Sequence, residues 1–150
     1  MKRRVLFLCT GNSARSQMAE AFVRHYAGDS LEPHSAGLNP RGVNPLAVQV
    51  MHEVGIDIAD QKSKPVTQYM SKMHFTWAIS VCARVEEQCP RLFPWVGDIQ
   101  YWPFEDPAAV KGDDEEKLAK FREVRDQIDA RVKAWLKDLA EAAAAAPSRD

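Results

Sequence analysis

Residues 5–16 read Val5-Leu6-Phe7-Leu8-Cys9-Thr10-Gly11-Asn12-Ser13-Ala14-Arg15-Ser16. An apolar run ends in a cysteine, five small or polar residues follow, and an arginine closes the loop. The next residues, Gln17-Met18-Ala19-Glu20-Ala21-Phe22-Val23, carry a helical pattern. The order predicted is a buried strand, a tight loop and a helix.

Such a loop gathers unpaired backbone N–H groups at a helix N-terminus, where the helix dipole also favours an anion. Gly11 and Asn12 tolerate left-handed backbone angles, so both are expected to let the loop curl around a ligand. Arg15 adds a planar fork of donors suited to a tetrahedral oxyanion. Cys9 lies at the base of this ring, in a positive field that favours its nucleophilic thiolate. Thr10, Gly11, Asn12, Ser13, Ala14, Arg15 and Ser16 are thus the candidate oxyanion-binding residues, under attack chemistry led by Cys9.

The 150 residues suit one compact domain, expected over 1–142, with 143–150 as a frayed or disordered tail. A net charge of −1 gives no basic field to recruit nucleic acid. No apolar run reaches transmembrane length, and the N-terminus does not match a signal peptide, so a cytoplasmic location is expected without membrane association. The three cysteines, Cys9, Cys82 and Cys89, point to thiol chemistry rather than a secreted disulfide framework. They share no ligand spacing with the histidines, so neither a metal nor a cofactor is expected.

Along the chain, helix one is expected from about Ser16 to Tyr26, and Leu31–Gly37 as an edge strand because it holds Pro33. Asn44 caps a second helix with Pro45 at its first position, Leu46, Val50 and Val54 along one stripe, and Gly55 as its stop. Val66–Met73 reads as a short helix, Phe75–Cys82 as a central strand, and Ile99–Trp102 as a fourth strand. The last helix runs from about Asp114 to Ala142, with Leu118, Phe121, Val124, Ile128, Val132, Trp135 and Leu139 facing the core. Alternating strands and helices imply an α/β fold, a four-stranded parallel sheet with helices on both faces. Ligands bind such sheets at the C-terminal ends of the strands. Cys9, Cys82 and Asp106 all fall on that rim.

Asp106 could protonate a leaving oxygen, or it could cap the turn that Pro107 begins. Cys82 and Cys89 could be structural; if the residues between them are helical, the thiols stand about 10 Å apart by rise and need movement to meet. If all three cysteines act, they form a thiol relay, and the substrate must itself be reduced. Phosphate cannot be reduced this way, whereas arsenate can.

Taken together, Cys9 to Glu20, His34-Ser35-Ala36-Gly37, Val54-Gly55-Ile56-Asp57, the Cys82 and Cys89-Pro90 pair, and Phe104-Glu105-Asp106-Pro107 resemble the thioredoxin-coupled arsenate reductases. That family shares the fold of the low-molecular-weight protein tyrosine phosphatases. The resemblance implies that Cys9 forms a thiol–arsenate adduct, held by Arg15 and the loop amides. Ser16 would stabilise the Cys9 thiolate and Asp106 would be the general acid. Cys82 would attack Cys9 and release arsenite. A final Cys82–Cys89 disulfide would be reduced by thioredoxin, and the working state is expected to be a monomer. Some members bind potassium through residues matching Asn12, Glu20, Ser35 and an aspartate, whose place Lys64 takes here. A lysine cannot ligate a cation, so no potassium site is expected, and its ammonium would pair with Glu20 instead. The alternative function is a phosphatase using Cys9, Arg15 and Asp106 alone. That family usually carries a tyrosine where this chain has Ala108.

Overall fold

A parallel strand at Arg3–Cys9 (β1) lies between Leu31–Gly37 (β2) and Trp77–Ser80 (β3), and Asp98–Tyr101 (β4) pairs with β3. The strand order is β2-β1-β3-β4, in a computed structural model that describes residues 2–69, 73–82 and 96–145. Val5, Leu6, Phe7 and Leu8 are buried on both sides of the sheet, which explains their unbroken apolar run. Pro33 sits in an edge strand, where a missing donor is tolerated.

Register and ring contacts separate the two faces. Val5 and Trp77 are paired in register, and Trp77 and Trp102 both meet Trp135 edge to face, with Phe7 against Trp102. That face is covered by the helices Arg15–Ala27 (α1) and Asp114–Ala145 (α3). On the other face His34, in register with Leu6, packs edge-on to Tyr69 and Phe75. Phe121, Val124, Ile128, Val132 and Trp135 of α3 are buried as their spacing predicts, while Leu118 and Leu139 flank the stripe half-buried.

The second helix, Pro45–Glu53 (α2), begins as its sequence predicts, with the Asn44 carboxamide accepting the Leu46 N–H at 2.8 Å. Its buried face is Ala47, Val50 and Met51. Val54 does not belong to it: the helix has ended at Glu53, and Val54 is 44% exposed. Gly55 takes a left-handed φ of +80 and turns the chain. Arg125 of α3 then pins α2, donating to the Val50 carbonyl at 2.9 Å and meeting Glu53.

Val66–Gln68 forms a single 3-10 turn in the segment expected as a short helix. Cys89 and the segment on either side of it, 83–95, lie outside the described residues. No helix among the described residues is long and apolar enough to cross a membrane.

Candidate active site

Residues 10–14 are held from outside. The Thr10 carbonyl accepts the Asn39 N–H at 2.8 Å, Gly11 accepts from Arg41 at 3.0 Å, and Ser13 accepts from Asn44 at 2.9 Å. The Asn12 carbonyl accepts from the Ser63 hydroxyl at 2.8 Å and from Gln17 Nε2 at 3.0 Å. With these carbonyls turned outward, the peptide N–H groups face the hollow. Those of Gly11, Ser13, Ala14 and Arg15 have no acceptor among the described residues, the condition an oxyanion site requires.

Asn12 alone in this loop takes a left-handed φ, of 46. Gly11 was expected to do the same and does not. A Cβ there would make only an ordinary contact, 3.4 Å from Arg41 Cδ. Gly37, at the end of β2, is tighter: a Cβ would stand 2.8 Å from both Asn12 N and the Thr10 carbonyl oxygen. Sequence patterning gives no hint of that contact, because it joins positions about 25 residues apart.

A small cavity of about 90 Å3 opens at this loop, lined by Cys9, Thr10, Gly11, Ser13, Ala14 and Arg15, with Arg41, Asp106 and Ala108 at its other wall. The rim expected from the topology is therefore the place where Cys9 and Asp106 meet. Arg15 Nη1 donates to the Phe104 carbonyl at 3.0 Å, and Nη2 lies 3.9 Å from Asp106 Oδ2. Asp106 also caps the turn after it, accepting the Ala108 N–H at 3.0 Å. The two readings of Asp106 are thus compatible, because one carboxylate oxygen caps and the other faces Arg15.

Asn12 and Ser16 are fully buried and stand behind the cavity rather than in its wall. The proton directions there follow from the network. The Lys64 backbone N–H can only donate, and it reaches Asn12 Oδ1 at 2.8 Å. Asn12 Nδ2 therefore donates to Ser16 Oγ, at 2.8 Å. Once Cys9 is ionised its sulfur can only accept, so the Ser16 hydroxyl, 2.9 Å away, donates to it. The Asn12 N–H also donates to that sulfur, at 3.1 Å.

Cys82 lies beside this group. Its sulfur accepts the Thr10 N–H at 3.1 Å. The sulfur bonds of ordinary geometry run to Ser16, Asn12 and Thr10 rather than between the two cysteines. The two thiols still titrate as a pair. Cys9 is lowered from its ordinary 9.0 to about 6, by the neighbouring Cys82 thiol first and by Ser16 and Arg15 after it, against the opposing effect of burial. Cys82 is pushed up, by Cys9 and by burial. The first ionisation belongs to Cys9, the sulfur with the donors around it.

A larger hollow of about 330 Å3, lined in part by Glu20, Arg24, Glu32, His34 and Lys64, has no cysteine in its lining. Its charges pair with one another. Arg24 holds Glu20 at 2.6 Å, His34 meets Glu32 at 2.7 Å, and Lys64 Nζ lies 3.7 Å from Glu20 Oε1. Ser35 donates to that same Glu20 oxygen at 2.6 Å. Among the described residues no three metal-ligating side chains gather.

The family model for low molecular weight phosphotyrosine protein phosphatase matches residues 4–145. The arsenate reductase of Halalkalibacterium halodurans is 43% identical over 134 residues, spanning 89% of this chain and 95% of the relative. A solved arsenate reductase in its phosphate-binding state superposes with a TM-score of 0.76 at 33% identity, covering 91% of this chain and 98% of the other. The thioredoxin-dependent arsenate reductase of Corynebacterium glutamicum gives a TM-score of 0.64 at 28% identity, over 94% of this chain and 63% of that one.

Proposed function

The chain belongs to the low molecular weight phosphotyrosine protein phosphatase family, and we propose that it reduces arsenate to arsenite through Cys9, Cys82 and Cys89. The observation that carries this reading is the Cys82 sulfur bonded to the amide next to Cys9. Ester hydrolysis requires one thiolate, a guanidinium and an acid. It has no use for a second buried sulfur at the base of the cradle, whereas a thiol relay does.

In this reading the Cys9 thiolate attacks arsenic, Asp106 protonates the departing hydroxyl, and water leaves. Arg15 and the inward N–H groups hold the remaining oxygens. Once Cys9 is bonded to arsenic it no longer carries a charge, and the main influence holding Cys82 protonated is gone. Cys82 then attacks the Cys9 sulfur. The Cys9–Cys82 bond forms, the sulfur–arsenic bond breaks, and its electron pair leaves with arsenic as arsenite. Cys89 attacks Cys82, Cys9 departs as the better-stabilised thiolate, and the Cys82–Cys89 disulfide carries the oxidation away. A thioredoxin dithiol regenerates the enzyme; the Corynebacterium glutamicum relative, thioredoxin-dependent by its name, supports that choice of reductant.

Weak hydrolysis of phosphate monoesters is the second reading, because Cys9, Arg15 and Asp106 line one cavity and suffice for it. Arsenite release with thioredoxin and p-nitrophenyl phosphate hydrolysis, measured in Cys9→Ser, Cys82→Ser and Cys89→Ser, separate the two. Cys9→Ser is expected to abolish both activities. Cys82→Ser and Cys89→Ser are expected to lose arsenate turnover and keep hydrolysis. Undiminished multiple-turnover reduction in Cys89→Ser would sink the relay.

A further inference from the structure

Arg41 stands in the cavity wall together with Cys9, Arg15 and Asp106. It comes from the loop between β2 and α2, whose Asn39 and Asn44 strap the cradle through their backbone N–H groups. Its own N–H ties down the Gly11 carbonyl at 3.0 Å, and its side-chain stem crosses above Gly11, 3.4 Å from where a Cβ would be. The backbone bond fixes the root of the side chain beside the cradle. From that root the side chain lines the same cavity as Arg15.

Charge gives this placement a purpose. Arg15 meets a carbonyl oxygen with one nitrogen and approaches Asp106 with another. Among the described residues Arg41 makes no ion pair. With Cys9 ionised, Arg15 alone offsets the thiolate, and an incoming dianion would bring two negative charges with nothing left to balance them. Arg41 restores balance at the entrance, and an exposed guanidinium that is not otherwise engaged loses little on turning to an anion.

We propose that Arg41 is a second oxyanion-binding cation, which draws a free tetrahedral dianion into the site and holds its outer oxygens opposite Arg15. This deepens the reductase reading and rests on it for the identity of the substrate, but not for the binding itself. Anion binding can therefore be tested without turnover, as protection of Cys9 from iodoacetamide by inorganic phosphate, followed by peptide mass spectrometry on the full chain. Arg41→Gln is expected to raise the half-protecting phosphate concentration about tenfold at low salt. It should also flatten the dependence of that concentration on sodium chloride, an effect that loss of packing would not produce. Arg41→Lys keeps the charge and should recover most of the affinity.

In arsenate turnover the loss should appear in KM and exceed any loss in kcat. A half-protecting concentration within about twofold of wild type in folded Arg41→Gln, or an Arg41→Lys no better than Arg41→Gln, would overturn the proposal. A wild type that binds phosphate but releases no arsenite would defeat the reductase reading and leave the Arg41 result to stand on its own isotherms.

Discussion

Replacing Ser16 with alanine tests how the thiolate is made. Ser16 is fully buried, and its hydroxyl donates to the Cys9 thiolate, which can only accept. A hydrogen bond to a charged group contributes about 1.5–3 kcal/mol, and one pKa unit corresponds to about 1.4 kcal/mol. Removing it should therefore move Cys9 from about 6 up by roughly one to two units. The thiolate fraction at neutral pH would fall from roughly nine-tenths to between a half and a tenth. A rate measured at one pH is a poor readout, because a thiolate of higher pKa is also the stronger nucleophile and partly offsets its own scarcity. The midpoint of the pH profile does not suffer from this. Iodoacetamide alkylation of the Cys9 peptide, followed from acid to alkaline pH in wild type and Ser16→Ala, gives that midpoint directly. A shift of less than about 0.3 unit would refute the assigned proton direction, and with it the chain Lys64, Asn12, Ser16, Cys9.

Gly37→Ala should push the Asn12 and Thr10 backbone aside, since its Cβ would meet both at 2.8 Å. The expected loss is about 1–3 kcal/mol, seen as a lower Tm, together with weaker protection of Cys9 by phosphate. In stability against pH, the Cys9 thiolate forms in the folded state from about 6, while the unfolded thiol stays protonated up to its ordinary 9.0. Stability should rise across that window, by at most about 4 kcal/mol because Cys82 shares the site. Cys82 has the opposite sign, remaining a thiol where the unfolded chain ionises, so the curve should turn down above the window. Urea denaturation of Cys9→Ser should lose the rise and keep only the smaller turn that burial of Cys82 causes. Exchanging sodium for potassium chloride at constant ionic strength should leave Tm unchanged, because Lys64 Nζ lies 3.7 Å from Glu20; a potassium-specific rise would contradict that.

What could be read in the sequence was local. The strand, loop and helix of residues 5–16, the Pro33 edge and the Asn44-Pro45 cap each carry their physical cause within a few residues. Val54 was misplaced because apolar spacing continues past a helix that the chain has already ended. Gly11 was assigned a backbone role when its neighbour Asn12 supplies the left-handed angle. The bracing by Gln17, Ser63 and Lys64, and the part of Arg41 in the cavity wall, were not legible at all. These contacts span up to about 50 residues, and polar contacts at such separations follow no periodicity.

The outward-turned carbonyls have a consequence for how the site unfolds. Residues 10–14 owe their shape to Asn39, Arg41, Asn44 and Ser63, so the cradle cannot survive the loss of the segments that hold it. A peptide spanning the loop alone should have no affinity for phosphate. In the intact chain the site should belong to the same cooperative unit as the sheet and vanish with it in one transition. Phosphate at a hundredfold excess over its Kd should then stabilise that whole unit by about 2.7 kcal/mol. The anion would act as a fastener for the fold as well as a ligand of the loop.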